Sequence, residues 1–152
     1  MNLRKVLNKN VVCMDLPGSS KAEVIEALVD IAVSTGKIKS KKAALQCVLE
    51  REDKMSTGIQ AGIAIPHGKT DAVDELVACV ALKREGVDFN SLDGDPSRIF
   101  IMTLSPANKV GPHVQFLAEI SRLLRQKEAR ERMLSAGSED ELLDLILRPE
   151  GK

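Results

Sequence analysis

Two apolar runs of strand length, residues 76–82 and 99–104, constrain the fold of this chain more than any other feature. They read Leu-Val-Ala-Cys-Val-Ala-Leu and Ile-Phe-Ile-Met-Thr-Leu, the pattern of strands buried in a core. Between them, Asn90-Ser91-Leu92-Asp93-Gly94-Asp95-Pro96 carries clear turn signals, so the pair reads as strand, loop, strand. Such strands need cover, and the flanking sequence offers it. Ser20 with Glu23 is a capping-box signature, followed by Val24, Ile25, Leu28, Val29 and Ala32 at helical spacing up to Gly36. A second helix is predicted after Ser40, with Ala44, Cys47 and Val48 turned inward and a polar end in Glu50-Arg51-Glu52-Asp53-Lys54. Pro112 has the character of a first helical position, and Phe116, Leu117, Ile120, Leu123 and Leu124 supply the apolar stripe after it. Ser138 with Glu141 announces a last helix, which Pro149 should stop. With residues 11–14 and 63–65 as short strands, the chain is predicted to be α/β or α+β, a sheet flanked by helices.

Composition narrows the function. At 152 residues one domain, 1–152, is expected. The 22 Lys+Arg balance 22 Asp+Glu, and aromatic residues make up 2%. That balance lacks both the basic footprint and the stacking platforms of nucleic-acid binders, so no nucleic-acid partner is expected. No apolar run approaches the ~20 residues that span a bilayer, and residues 1–10 lack the apolar centre of a signal peptide. A cytoplasmic protein without membrane insertion is the expectation. Cys13, Cys47 and Cys79 are odd in number, widely separated and set among apolar neighbours, which predicts small buried hydrophobes rather than disulfides or a zinc site.

The chemistry concentrates around two histidines. His67 stands between Pro66 and Gly68 directly after a short apolar strand, which suggests a chain reversal that holds the imidazole at a defined orientation. Neutral imidazole there suits a nucleophile; a surface histidine without a role fits the same spacing. His113 falls in the first turn of the helix after Pro112, where the positive dipole end attracts anions and disfavours imidazolium. It suits a hydrogen-bond donor to a phosphoryl group or a general acid/base, unless it simply faces solvent. Arg51 suits a phosphate ligand because a guanidinium binds oxygens in pairs and keeps its charge, although within Glu50-Arg51-Glu52 it equally reads as a solvated helix face. The histidines have no H-x-x-x-H or H-E-x-x-H spacing, so no metal site is predicted. Ser56-Thr57-Gly58 lacks the G-x-x-x-x-G-K-[ST] pattern, and no cofactor is expected. Gly58 and Gly62 read as places where two backbones approach.

The run Glu50-Arg51-Glu52 … Met55-Ser56-Thr57-Gly58-Ile59 … Gly62-Ile63-Ala64-Ile65-Pro66-His67-Gly68-Lys69 resembles the type-2 IIA domains of the phosphoenolpyruvate-dependent sugar phosphotransferase system. These are the fructose/mannitol-type domains and their nitrogen-regulatory relatives. The similarity continues through Leu92-Asp93-Gly94, residues 99–104, and His113 with the segment 116–124. Gln60-Ala61 stands where Gly-Asn is common in the family. The resemblance implies a mixed sheet flanked by helices. It implies that His67 accepts a phosphoryl group from HPr or a paralogue and hands it to a IIB domain. It implies further that His113 hydrogen-bonds that group and that Arg51 helps neutralise it. Two roles follow as expectations: a relay serving fructose/mannitol-type sugar uptake, or a regulatory protein whose phosphorylation state controls binding to a target.

Overall fold

The computed structural model describes residues 2–148 of the chain. Its strands are β1 (Val12–Cys13), β2 (Ile63–Ala64), β3 (His67–Lys69), β4 (Val77–Val87) and β5 (Ser97–Ser105). Its helices are α1 (Lys21–Val33), α2 (Lys41–Lys54), α3 (Gly111–Leu124), α4 (Lys127–Leu134) and α5 (Glu139–Leu147), with short 3-10 turns at Leu3–Lys5 and Lys9–Val11.

Local chemistry starts three of these helices. The hydroxyls of Ser20, Ser40 and Ser138 accept from the amides of Glu23, Ala43 and Glu141 at 3.1–3.2 Å, and each such cap contributes about 1 kcal/mol. At α1 the carboxylate of Glu23 returns the bond to the Ser19 amide at 3.0 Å. α3 has no side-chain cap; Pro112 in its first turn presets the helical φ. Pro149, the expected stop of α5, lies outside the described residues.

β4 and β5 form the antiparallel centre, with Val77 opposite Leu104 and Leu82 opposite Ile99. β1 lies parallel to the outer edge of β4, while β2 and β3 lie one after the other, both parallel, along the far edge of β5. The sheet is therefore mixed. Residues 77–83 and 99–105 are buried without alternation, so both faces of the centre are covered, as the two apolar runs predicted. Phe89 and Phe100 meet edge to face in this core, 5.4 Å between centroids.

Several expectations need correction. His67 is not on a chain reversal; it opens β3, which is stabilised by pairing with β5 rather than by any apolar pattern of its own. α4 was not expected, because its only buried residues are Ala129 and Met133 in an otherwise charged segment. The end of α2 is polar as expected but not wholly exposed, since Glu52 continues the buried stripe of Ala44 and Val48, spaced four apart. Of the cysteines only Cys79 is fully buried; Cys13 and Cys47 are partly exposed, and all three are free.

Candidate active site

His67 lies at the carboxyl end of the parallel edge of the sheet, the end at which α/β sheets commonly bind ligands. A small hairpin delivers it. Ile59 N donates to Ile63 O at 2.8 Å and Ile65 N to Thr57 O at 3.0 Å, and β2 then runs along β5 to Pro66, whose carbonyl accepts from Thr103 N at 3.2 Å. His67 pairs with Thr103 in the β3–β5 register. Gly58 is the predicted close approach, since a Cβ there would meet Ser91 Oγ at 2.5 Å and the Phe89 carbonyl at 3.2 Å, whereas Gly62 meets nothing closer than 3.6 Å and is needed instead for its φ of +76°.

The ring nitrogens of His67 are made unequal by their surroundings. Nδ1 lies 2.9 Å from the Ile65 carbonyl oxygen. A carbonyl only accepts, so Nδ1 carries the proton and Nε2 holds the free lone pair.

His113 is brought beside it by the turn from β5 into α3. The two rings lie 5.3 Å apart between centroids, tilted by 34°. Nδ1 of His113 is 2.9 Å from the hydroxyl of Thr103, which is completely buried. A hydroxyl that donates there leaves Nε2–H of His113 as a free donor. Burial holds the His113 imidazolium below the usual range, and the neighbouring His67 ring and the Lys69 ammonium push the same way. His113 is therefore half-buried and neutral at pH 7 rather than a solvent-facing helix start.

Arg51 reaches the site through α2. A Cβ on Gly68 would collide with Cys47 Sγ and come within 3.2 Å of the α2 backbone, so glycine is what lets the helix approach β3. Cys47 and Arg51, four residues apart, share a helix face. With Glu50, Lys54, His67, Gly68 and Lys69 they line a surface depression of about 380 Å³. Arg51 donates to the Met55 carbonyl at 2.9 Å. Neither it nor Lys54 nor Lys69 makes an ion pair among the described residues. Burial raises the Cys47 thiol to about 11, which makes it a wall rather than a second nucleophile.

All three residues expected from the sequence thus converge: two face each other, and the third lines the same depression as the first. The decisive comparison is with the family of the phosphoenolpyruvate-dependent sugar phosphotransferase system described as EIIA 2, whose pattern residues 5–148 match. The chain belongs to that family. This EIIA chain is 38% identical over 136 residues to the fructose-specific EIIA component of Haloferax volcanii, covering 90% of the present chain and 88% of the relative. Its fold is similar to the nitrogen regulatory protein IIA-Ntr of Neisseria meningitidis, with TM-score 0.86 and 28% identity over 94% of this chain and 97% of that one. It is also similar to the IIA mannitol protein of Escherichia coli, with TM-score 0.79 and 25% identity over 92% and 98% of the two chains. No helix among the described residues is long and apolar enough to cross a membrane.

Sequence reasoning on this EIIA chain missed Thr103, Lys54 and Lys69. A lone hydroxyl inside the run Ile-Phe-Ile-Met-Thr-Leu was the available signal for Thr103, because a buried hydroxyl requires a partner. Lys54 had a weaker one: with Cys47 and Arg51 it continues a single helix face.

Proposed function

We propose that the chain acts as one EIIA domain, residues 1–152, in which Nε2 of His67 accepts a phosphoryl group and passes it on. The observation that carries this reading is the Nδ1 bond to the Ile65 carbonyl, which leaves Nε2 as the nucleophilic atom. The lone pair of Nε2 forms the new P–N bond as the bond from phosphorus to the donor breaks. Nδ1 keeps its proton, and the Ile65 carbonyl stabilises the resulting positive ring. His113, neutral and backed by Thr103, donates Nε2–H to a phosphoryl oxygen. Arg51, with Lys54 and Lys69 nearby, offsets the charge. Phosphoryl transfer demands little beyond such positioning and charge stabilisation.

The donor is HPr or a paralogue and the acceptor a IIB domain, in a cytoplasmic relay that serves fructose/mannitol-type sugar uptake. The fructose-specific name of the 38% identical relative supports this direction. A second reading, in which phosphorylation switches binding to a regulatory target, is supported by the IIA-Ntr neighbour. Incubation with phosphoenolpyruvate, enzyme I and HPr should add one acid-labile phosphoryl group, which phosphorus–nitrogen NMR assigns to Nε2. His67→Ala should take none. Label retained by that variant would refute the acceptor, and label passing from wild type to no IIB would favour the regulatory reading.

A further inference from the structure

The Glu50-Arg51-Glu52 … Ser56-Thr57-Gly58 motif contains two residues for which the phosphoryl chemistry above has no use, Glu52 and Thr57. Both are buried, at 5% and 6% exposure. The Glu52 carboxylate accepts from Thr57 N at 2.9 Å with one oxygen and from Thr57 Oγ1 at 2.5 Å with the other. Lys21 adds a third donor at 2.9 Å and lies over the Phe89 ring. Adjacent residues of α2 thus point to opposite ends: Arg51 toward the open depression, Glu52 into the loop beneath it.

That loop leads directly to the acceptor. The Thr57 carbonyl takes the Ile65 N–H at 3.0 Å, and the Ile65 carbonyl takes the Nδ1 proton of His67 at 2.9 Å. Pro66 has no N–H, so among the described residues the stretch between β2 and β3 is tied laterally only through Ile65 N and the Pro66 carbonyl. The orientation of the Ile65 carbonyl, and with it the protonated nitrogen of His67, therefore depends on where Thr57 is held. Among the described residues only the Glu52 carboxylate of α2 grips the amide and the hydroxyl of Thr57 together.

We propose that Glu52 and Thr57 are positioning residues that fix the His67 tautomer through the Ile65 carbonyl and so keep Nε2 free to attack phosphorus. This rests on His67 being the acceptor, yet one readout is independent of that. Imidazole left to itself distributes its proton between both nitrogens, and the form protonated on Nε2 has no lone pair there. Loosening the grip should shift the proton without unfolding the chain, whereas a purely structural ion pair would lower stability and leave the tautomer unchanged.

The test uses the full chain and three variants, Glu52→Gln, Thr57→Val and Thr57→Ser, each held below its own unfolding temperature. Long-range nitrogen–proton NMR of the unphosphorylated proteins reads which ring nitrogen of His67 is protonated, and phosphoramidate serves as a small donor for the rate of uptake. Wild type and Thr57→Ser should show Nδ1–H and equal rates. Thr57→Val and Glu52→Gln should show mixed tautomers and uptake slowed about tenfold, the rate equivalent of one lost hydrogen bond. A folded Thr57→Val or Glu52→Gln that keeps Nδ1–H and the wild-type rate overturns the proposal. So does lowered stability with an unmoved tautomer. If His67→Ala still takes up phosphoryl while the variants shift the tautomer as expected, the acceptor reading fails and the positioning survives.

Discussion

The two ends of the sheet treat their polar groups in opposite ways. At the turn end, where β4 hands over to β5, the chain satisfies itself: Arg84 donates to the Leu134 and Ala136 carbonyls, Arg98 to the Arg84 carbonyl, Ser91 meets Ser97, and Asp93 accepts from the Ala61 amide. At the histidine end the inner nitrogens of both imidazoles are engaged, but no hydrogen bond reaches either Nε2 among the described residues. Arg51, Lys54 and Lys69 gather there beside Glu50 but make no ion pair among the described residues, whereas Lys39 and Lys41, just before and at the start of α2, are ion-paired. One end uses its hydrogen-bonding capacity to close loops; the other leaves capacity open for a group that arrives from outside. Uncompensated charge is tolerated at the second end because the depression is open to water, where an unpaired cation costs little.

Exchanging cations between these ends gives the largest expected effect. Arg51→Met should slow phosphoryl uptake from phospho-HPr roughly tenfold to a hundredfold, the range for loss of a hydrogen bond to a charged group, and Lys69→Gln should follow toward the lower figure. Arg98→Met at the turn end should leave uptake unchanged. Stopped-flow or quench assays of labelled protein check this. Equal effects at the two ends would mean that the unpaired charges have no catalytic bearing.

A smaller effect is expected from pH. With its folded value below the ordinary 6.5, His113 binds fewer protons in the native than in the unfolded chain. Stability from this group is therefore fully present above pH 6.5 and declines as pH falls below it. His113→Asn should flatten that limb of a urea-unfolding profile. If His67 is the acceptor, its phosphoryl group would place negative charge beside His113, so the His113 titration should move upward in the phosphoprotein. NMR titration that finds His113 at or above 6.5 in the unphosphorylated chain would contradict the burial argument.

Legibility in the sequence followed the range of the forces involved. Ser20, Ser40 and Ser138 could be read as helix starts because a cap is made within three residues, and the runs at 76–82 and 99–104 because burial on both faces needs no register. β3 was hidden: His-Gly-Lys has no strand pattern, and its extended form comes from Thr103 and its neighbours on β5. Glu52 was hidden for the opposite reason, since a carboxylate within a charged run reads as solvated until Thr57 and Lys21 are seen to enclose it. The convergence of Arg51, His67 and His113 came from the family resemblance. Its physical basis, the glycine contact between β3 and α2 and the turn from β5 into α3, is tertiary.

The smallest expected effect lies at the turn end and concerns the departure at Gln60-Ala61. Ile63 N closes on Gln60 O at 3.3 Å, and Ala61 and Gly62 between them have φ of +61° and +76°. Positive φ at both central residues is the requirement of a type I′ hairpin turn, which strongly favours Asn-Gly. Alanine can adopt this region only against its Cβ, whereas asparagine visits it several-fold more readily. Ala61→Asn should therefore stabilise the chain by about 0.5–1 kcal/mol in urea unfolding, while uptake on His67 stays as in wild type. The strain then belongs to the turn alone. Were uptake to change with it, strain at the turn of residues 60–62 would be reaching the acceptor past the Thr57–Ile65 pair, and the separation between the two ends of the sheet would no longer hold.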